Sequence, residues 1–128
     1  MYKTLLAVSF MLIMSNEIKS QDSALVVRIA RLVIDTAQLD AYKAALKLHA
    51  ETAVKVERGV LNLYAVYETK QPTHVTVFEI YASKEAYQSH LTTKHFLQYK
   101  TGTAGMVKSL ELAETVPIAL ETKFKTTH

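Results

Sequence analysis

The chain has 128 residues, 49% of them apolar, with no cysteine and no tryptophan. That is enough for one domain and too few for two, and the lack of thiols excludes disulfides and a lipid-modified N-terminal cysteine. The formal charge is +3 from 15 basic residues, but only Arg28, Arg31 and Arg58 are arginines and the lysines are scattered. No clustered basic face exists to neutralise several phosphates, so a nucleic-acid partner is not expected.

In chain order, Lys3 precedes a ten-residue apolar run, Leu5–Met14, broken only by Ser9. Ser15-Asn16-Glu17 then turns polar, and Ser20 offers a small residue before Gln21. This pattern predicts a secretory signal peptide over residues 1–20. A spanning helix takes about 20 apolar residues, so no stable membrane insertion is expected once the leader is cut. The remaining 108 residues carry a charge of +2, since Lys3, Lys19 and Glu17 leave with the leader. The expected location is periplasmic or secreted.

Ala24 to Asp35 is β-branched and apolar on both faces, which predicts a strand covered on both sides. Thr36 is expected to cap a helix, with Asp40 in its first turn. Apolar residues then recur near Leu39, Tyr42, Leu46, Ala50, Ala53 and Val56, in steps of three and four. Gly59 is expected to end that helix in the left-handed conformation. Val60 to Thr69 is predicted as a second strand, with Asn62, Tyr64 and Val66 on one face and Leu61, Leu63 and Ala65 on the other. Pro72 marks a turn, and His74 to Tyr81 forms a third strand antiparallel to the second. Ser83 caps a short helix to about His90. Thr92-Thr93 breaks it, and a further helical piece runs to about Lys100. Thr101 to Gly105 reads as loop, and Val107 to Ile118 as the last strand. The domain is expected over residues 21–120, with residues 121–128 a flexible tail.

The order β-α-β-β-α-β is the ferredoxin-like arrangement: an α+β fold with one antiparallel four-stranded sheet. Helices cover only one face of such a sheet, yet both faces read apolar. Val75, Val77 and Tyr81 alternate with Phe78 and Ile80, and Leu110 and Leu112 with Ala113. A sheet half covered by helices should be polar on its other side. A second copy of the chain is the economical cover, so a homodimer is expected.

Several side chains on these elements could carry chemistry. His49 lies on the apolar stripe of the first helix, either a satisfied core histidine or a general base beneath a pocket. Glu79 sits among apolar neighbours in the third strand, so it should meet a cation, a tyrosine or a histidine, or else rise in pKa. Arg28 and Arg31 are plausible partners. On one continuous helix His90 and His95 would stand about 140° apart, unlike the spacing of three or four that two ligands of one ion want. No metal is therefore expected, although the break at Thr92-Thr93 leaves that geometry open. Tyr64, Tyr67, Tyr81, Tyr87 and Tyr99 make the interior rich in phenols, suited to core packing or to an aromatic ligand. Phosphate-binding loops and nucleophile elbows have no match in the sequence.

The stretch from His74 to Phe96, taken with Glu57, Gly59, Leu61 and Tyr64, resembles the antibiotic-biosynthesis-monooxygenase (ABM) family of small quinol monooxygenases. The resemblance covers about Ala24 to Ile118. It implies a dimeric α+β barrel and a monooxygenase that needs no cofactor and oxidises a quinol, phenol or related aromatic with O2. On that reading His49, His90 and Glu79 are the catalytic candidates, and Tyr64, Tyr81, His95, Phe96 and Tyr99 the substrate-binding ones. His90 and His95-Phe96 match the family's common His and His-Phe positions, and Glu79 matches the glutamate of its third strand. Members often carry tryptophan where Tyr81 stands. Some proteins of this barrel type degrade haem and resemble one another in an asparagine on the first strand, a tryptophan on the third and a histidine ligand on the second helix. Here the first strand has no asparagine, Tyr81 stands near the tryptophan position and Lys100 falls near the ligand position, which argues against that activity. An isomerase of a small hydroxy-carbonyl compound, or a stress-associated dimeric binding module without turnover, are the other readings.

Overall fold

The computed structural model describes residues 25–124. The leader expected over residues 1–20 and the last four residues of the expected tail lie outside this range. Within it, β1 (Val26–Ile34) leads through a single-turn 3-10 helix (Thr36–Gln38) into α1 (Leu39–Val56). Then come β2 (Val60–Tyr67), β3 (His74–Tyr81), α2 (Lys84–His90), α3 (Lys94–Thr103), a 3-10 turn (Ala104–Met106) and β4 (Val107–Thr115). The strands form one antiparallel sheet in the order β2-β3-β1-β4. The expected ferredoxin-like α+β fold is therefore present.

The helices lie on one face. Opposite residues in the ladder share a face, and Arg28↔Glu79, Ala30↔Val77 and Leu32↔Val75 define the helix side. Leu32, Ile34, Leu63, Val75, Val77 and Tyr81 from that side pack with Tyr42, Leu46 and Ala53 of α1 into the core. Val56, the last residue of α1, is 61% exposed, whereas Ala53 three residues before it is fully buried. The other face carries Val27, Ile29 and Val33, with Tyr64, Val66, Phe78, Ile80 and Ala113 from their neighbours, but a polar row of Arg31, Thr76 and Glu111 crosses it, so it is not apolar throughout as expected.

Four local expectations change. Asp35 rather than Thr36 makes the first cap: its carboxylate accepts from the Ala37 backbone N–H and the Gln38 side chain. That pair of bonds, Gln38 foremost, holds the Asp35 carboxyl below its usual range. Gly59 is not left-handed, since no described glycine has a positive φ. It is glycine for space instead: a Cβ there would stand 2.5 Å from the Ala86 Cβ of α2. In β2 the register slips between Val60 and Asn62, leaving Leu61 as an extra residue that is half exposed instead of sharing a face with Leu63. Finally, Thr101 to Thr103 belong to α3, where the Thr101 and Thr103 hydroxyls donate to the carbonyls of Leu97 and Tyr99, each at 2.7 Å.

Candidate functional site

One threonine organises the site. The Thr93 hydroxyl donates to the His90 carbonyl at 2.8 Å, closing α2, and accepts from the Phe96 backbone N–H at 3.3 Å, opening α3. The chain turns between these helices, so His90 and His95 no longer obey the spacing of one helix. Both rings reach the same oxygen. Glu57 Oε2 lies 2.7 Å from His90 Nδ1 and 2.6 Å from His95 Nε2.

Glu57 is the residue that sequence reasoning missed as a functional one. It is the C-cap of α1, where the negative end of the helix dipole disfavours a carboxylate. That unfavourable placement was the signal available: a carboxylate at this end needs donors, and two imidazoles supply them. As an anion Glu57 can only accept, so His90 Nδ1 and His95 Nε2 both carry their protons. The neutral His90 tautomer then bears its lone pair on Nε2. That atom is buried and has no hydrogen-bond partner among the described residues, and the His90 side chain is part of the wall of the cavity described next.

A cavity of about 490 Å³ lies between the helix side of the sheet and α3. Its volume falls in the ordinary range for small-molecule pockets. Leu32, Leu46, Val77, Phe96, Leu110 and Leu112 make most of its surface apolar, and the helices leave Leu110 and Leu112 of β4 exposed, at 42% and 56%. His49, Glu79, Tyr81, His90, Phe96 and Tyr99 all line it. Six of the eight residues singled out from sequence thus converge on one hollow. His95 instead stands behind His90, tied to Glu57. Tyr64 is on the opposite face of the sheet, beside Phe78, and 43% exposed. A tyrosine at that place cannot touch a ligand held by Tyr81 of the same chain.

Burial sets the electrostatics. His49 is stacked on Tyr99, with centroids 4.6 Å apart and 10° between planes, and its ring lies 5.2 Å from that of His90. Burial, then the charges available to His90 and His95, push its pKa down to about 4, against a smaller opposing pull from Glu57. His49 is therefore neutral near pH 7. Burial also raises the Glu79 carboxyl, opposed by His90, by a hydrogen bond from Tyr81 and by Arg28. Arg28 stands opposite Glu79 in the ladder but spends its ion pair on Glu114 at 3.0 Å, and Arg31 pairs with Glu111. The Tyr81 and Tyr99 phenols are both raised, chiefly by burial, and Tyr99 shares a 2.6 Å hydrogen bond with Tyr42.

Glu57, His90 and His95 are also the residues that could hold a divalent cation, their ligand atoms lying within 4.8 Å of one another. An ion such as zinc stands about 2.0–2.2 Å from each nitrogen and oxygen ligand. One carboxylate oxygen at 2.6–2.7 Å from two ring nitrogens is instead the geometry of two charge-assisted hydrogen bonds.

Fold and cavity together define a ferredoxin-like α+β domain with an apolar pocket edged by imidazole and phenol. The ABM family model, described as antibiotic biosynthesis monooxygenase, matches residues 25–102. A solved structure from Bacteroides thetaiotaomicron, provisionally named an antibiotic biosynthesis monooxygenase, is 45% identical with a TM-score of 0.77, covering 81% of this chain and 99% of that one. A provisionally named monooxygenase of Lactobacillus acidophilus is 27% identical with a TM-score of 0.70, covering 71% of this chain and 43% of its own. The fold recurs at 19% identity and a TM-score of 0.69 in a Nitrosomonas europaea protein, over 74% of this chain and 91% of that one. A search of functionally curated proteins finds no match. The chain belongs to the antibiotic biosynthesis monooxygenase family.

Proposed function

We propose that the protein is an exported, homodimeric monooxygenase that oxidises a phenol or quinol with O2 and needs no added cofactor. The observation that carries this reading is the Glu57–His90 pair in the wall of an apolar cavity, with His90 Nε2 buried and without a hydrogen-bond partner among the described residues. Triplet oxygen attacks closed-shell organics slowly unless the substrate can give up an electron, and deprotonating a phenol makes that easier. His90 Nε2 takes the phenolic proton, and Glu57 stabilises the imidazolium and fixes its orientation. The phenolate passes one electron to O2, and the resulting pair recombines at a ring carbon bearing hydrogen. His90 returns its proton to the peroxide, then takes the hydrogen of that carbon as the O–O bond breaks. The departing hydroxide leaves as water. A phenol so becomes a quinone, and a quinol a hydroxyquinone. All four electrons come from the substrate, so no outside reductant enters. His49, neutral at working pH, is suited to hydrogen-bond the substrate oxygen rather than to take its proton, and Tyr81 and Phe96 to hold the ring.

The test is oxygen uptake and product formation with naphthols and hydroquinones, using protein stripped of metal by a chelator. The expected result is one O2 consumed per product, with His90→Gln lowering kcat by about 10²-fold or more and Glu57→Gln by a similar factor. Equal rates in wild type and His90→Gln would remove the proposed base. Turnover of a hydroxy-carbonyl compound without oxygen would favour the isomerase reading, for which Glu79 offers a carboxyl biased towards its acid form. Retention of an aromatic without any turnover would favour a binding module. Export rests on the leader-like residues 1–20, and homodimerisation on the helix-free face of the sheet.

A further inference from the structure

Four charged side chains line the cavity: Arg28, Lys100 and Lys108 are cationic and Glu79 is anionic. Burial biases Glu79 towards its neutral form, so it does not balance the other three. Arg28 is already engaged, paired with Glu114 and lying over the Tyr87 ring at 4.6 Å. Lys108 has the carboxylate of Asp35 in its field. Lys100 is different, with no hydrogen-bond or ion-pair partner among the described residues. It lies on α3 one turn beyond Phe96 and next to Tyr99, and it is exposed where the cavity meets solvent.

The hollow is therefore polarised. Its inner wall offers an uncharged imidazole, the His90 ring and aromatic side chains, whereas exposed Lys100, uncommitted, and Lys108 on the facing strand belong to its rim. A purely apolar ligand would leave Lys100 unused. We infer that the substrate is a fused or substituted aromatic bearing an acidic group, and that Lys100, assisted by Lys108, binds that anionic group while the ring hydroxyl points at His90. This deepens the proposed function and rests on it. It makes Lys100 a specificity-determining residue that takes no part in the chemistry.

Two fluorescent probes, compared without oxygen so that neither is turned over, separate the ideas: 2-naphthol, and 6-hydroxy-2-naphthoate, whose carboxylate is remote from the hydroxyl. With no tryptophan in the chain, ligand fluorescence reads binding directly. Wild-type protein is expected to bind the carboxylate about three- to tenfold more tightly than 2-naphthol, the range of a partly exposed ion pair. Lys100→Met should erase that preference without weakening 2-naphthol, Lys100→Arg should keep it, and raising salt from about 0.01 M to about 1 M should shrink it. Equal binding of both probes by wild type overturns the inference while leaving the aromatic-substrate reading intact. So does a preference that survives in Lys100→Met/Lys108→Met. Binding of neither probe overturns both.

Discussion

At the scale of single residues, His49 and His90 are alike in sequence and opposite in character. Both are buried imidazoles, but His90 has a carboxylate behind it while His49 has stacked rings and an unpaired Nδ1. The difference is measurable through stability. The folded-state pKa of His49 lies near 4, below the unfolded value of 6.5. Its contribution is therefore present above pH 6.5 and is lost as pH falls towards 4, because the unfolded chain binds the proton first. Between pH 7 and 5 this should cost on the order of 1–2 kcal/mol, partly offset by Glu79, whose raised pKa acts in the opposite sense. Denaturant unfolding of wild type and His49→Gln at both pH values checks this. The variant should lose about 1 kcal/mol less over the interval, and equal losses would contradict the buried neutral imidazole. The period of α1 was enough to place His49 on the inner stripe, and alternation along β3 put Glu79 and Tyr81 on one side. The meeting of His90 with His95 was not readable from spacing, because it depends on a helix break whose turn angle one threonine sets.

Among the elements, the junction of α1, β2 and α2 shows how one residue type can serve two physical ends. A glycine just past a helix suggests a left-handed cap, and that expectation was reasonable for Gly59. The backbone there is ordinary, and the requirement comes from α2, whose Ala86 leaves no room for a Cβ. Such a constraint is invisible locally, since residues 59 and 86 meet only through the sheet. Gly59→Ala should therefore destabilise by about 1–3 kcal/mol through overpacking. Ala86→Gly alone should cost about 0.5–1 kcal/mol of helix propensity. The double variant should recover much of the first loss, a coupling that a conformational role for Gly59 would not produce. Thermal unfolding of the four proteins measures it. Activity should track the loss, because α2 carries His90 at its end and Glu57 lies two residues before Gly59.

For the whole molecule, the side of the sheet that its helices do not cover is apolar around Ile29 and Phe78 and polar along the row Arg31, Thr76 and Glu111. Ile29, Val33, Phe78, Ile80 and Ala113 line that side partly buried, Val27 beside them is buried, and Tyr64 and Val66 on β2 are 43% and 63% exposed. Beyond β4 the extended segment after Thr115 adds Val116 and Ile118, each almost wholly in solvent. An exposed apolar patch on a small domain marks an interaction site. A second copy would meet it with the same self-complementary face, and a stable pair would bury at least about 1,200 Å² in total. Tyr64, remote from the cavity of its own chain, would then act in assembly. Val66→Glu is the discriminating variant: exposure of Val66 means the isolated fold should tolerate the charge, whereas an apolar interface should not. Sedimentation equilibrium at micromolar concentration should give twice the single-chain mass for the wild type, and a dissociation constant raised by about tenfold or more in Val66→Glu with unchanged circular dichroism. A wild type that sediments as one chain would exclude the dimer and leave that surface to another partner.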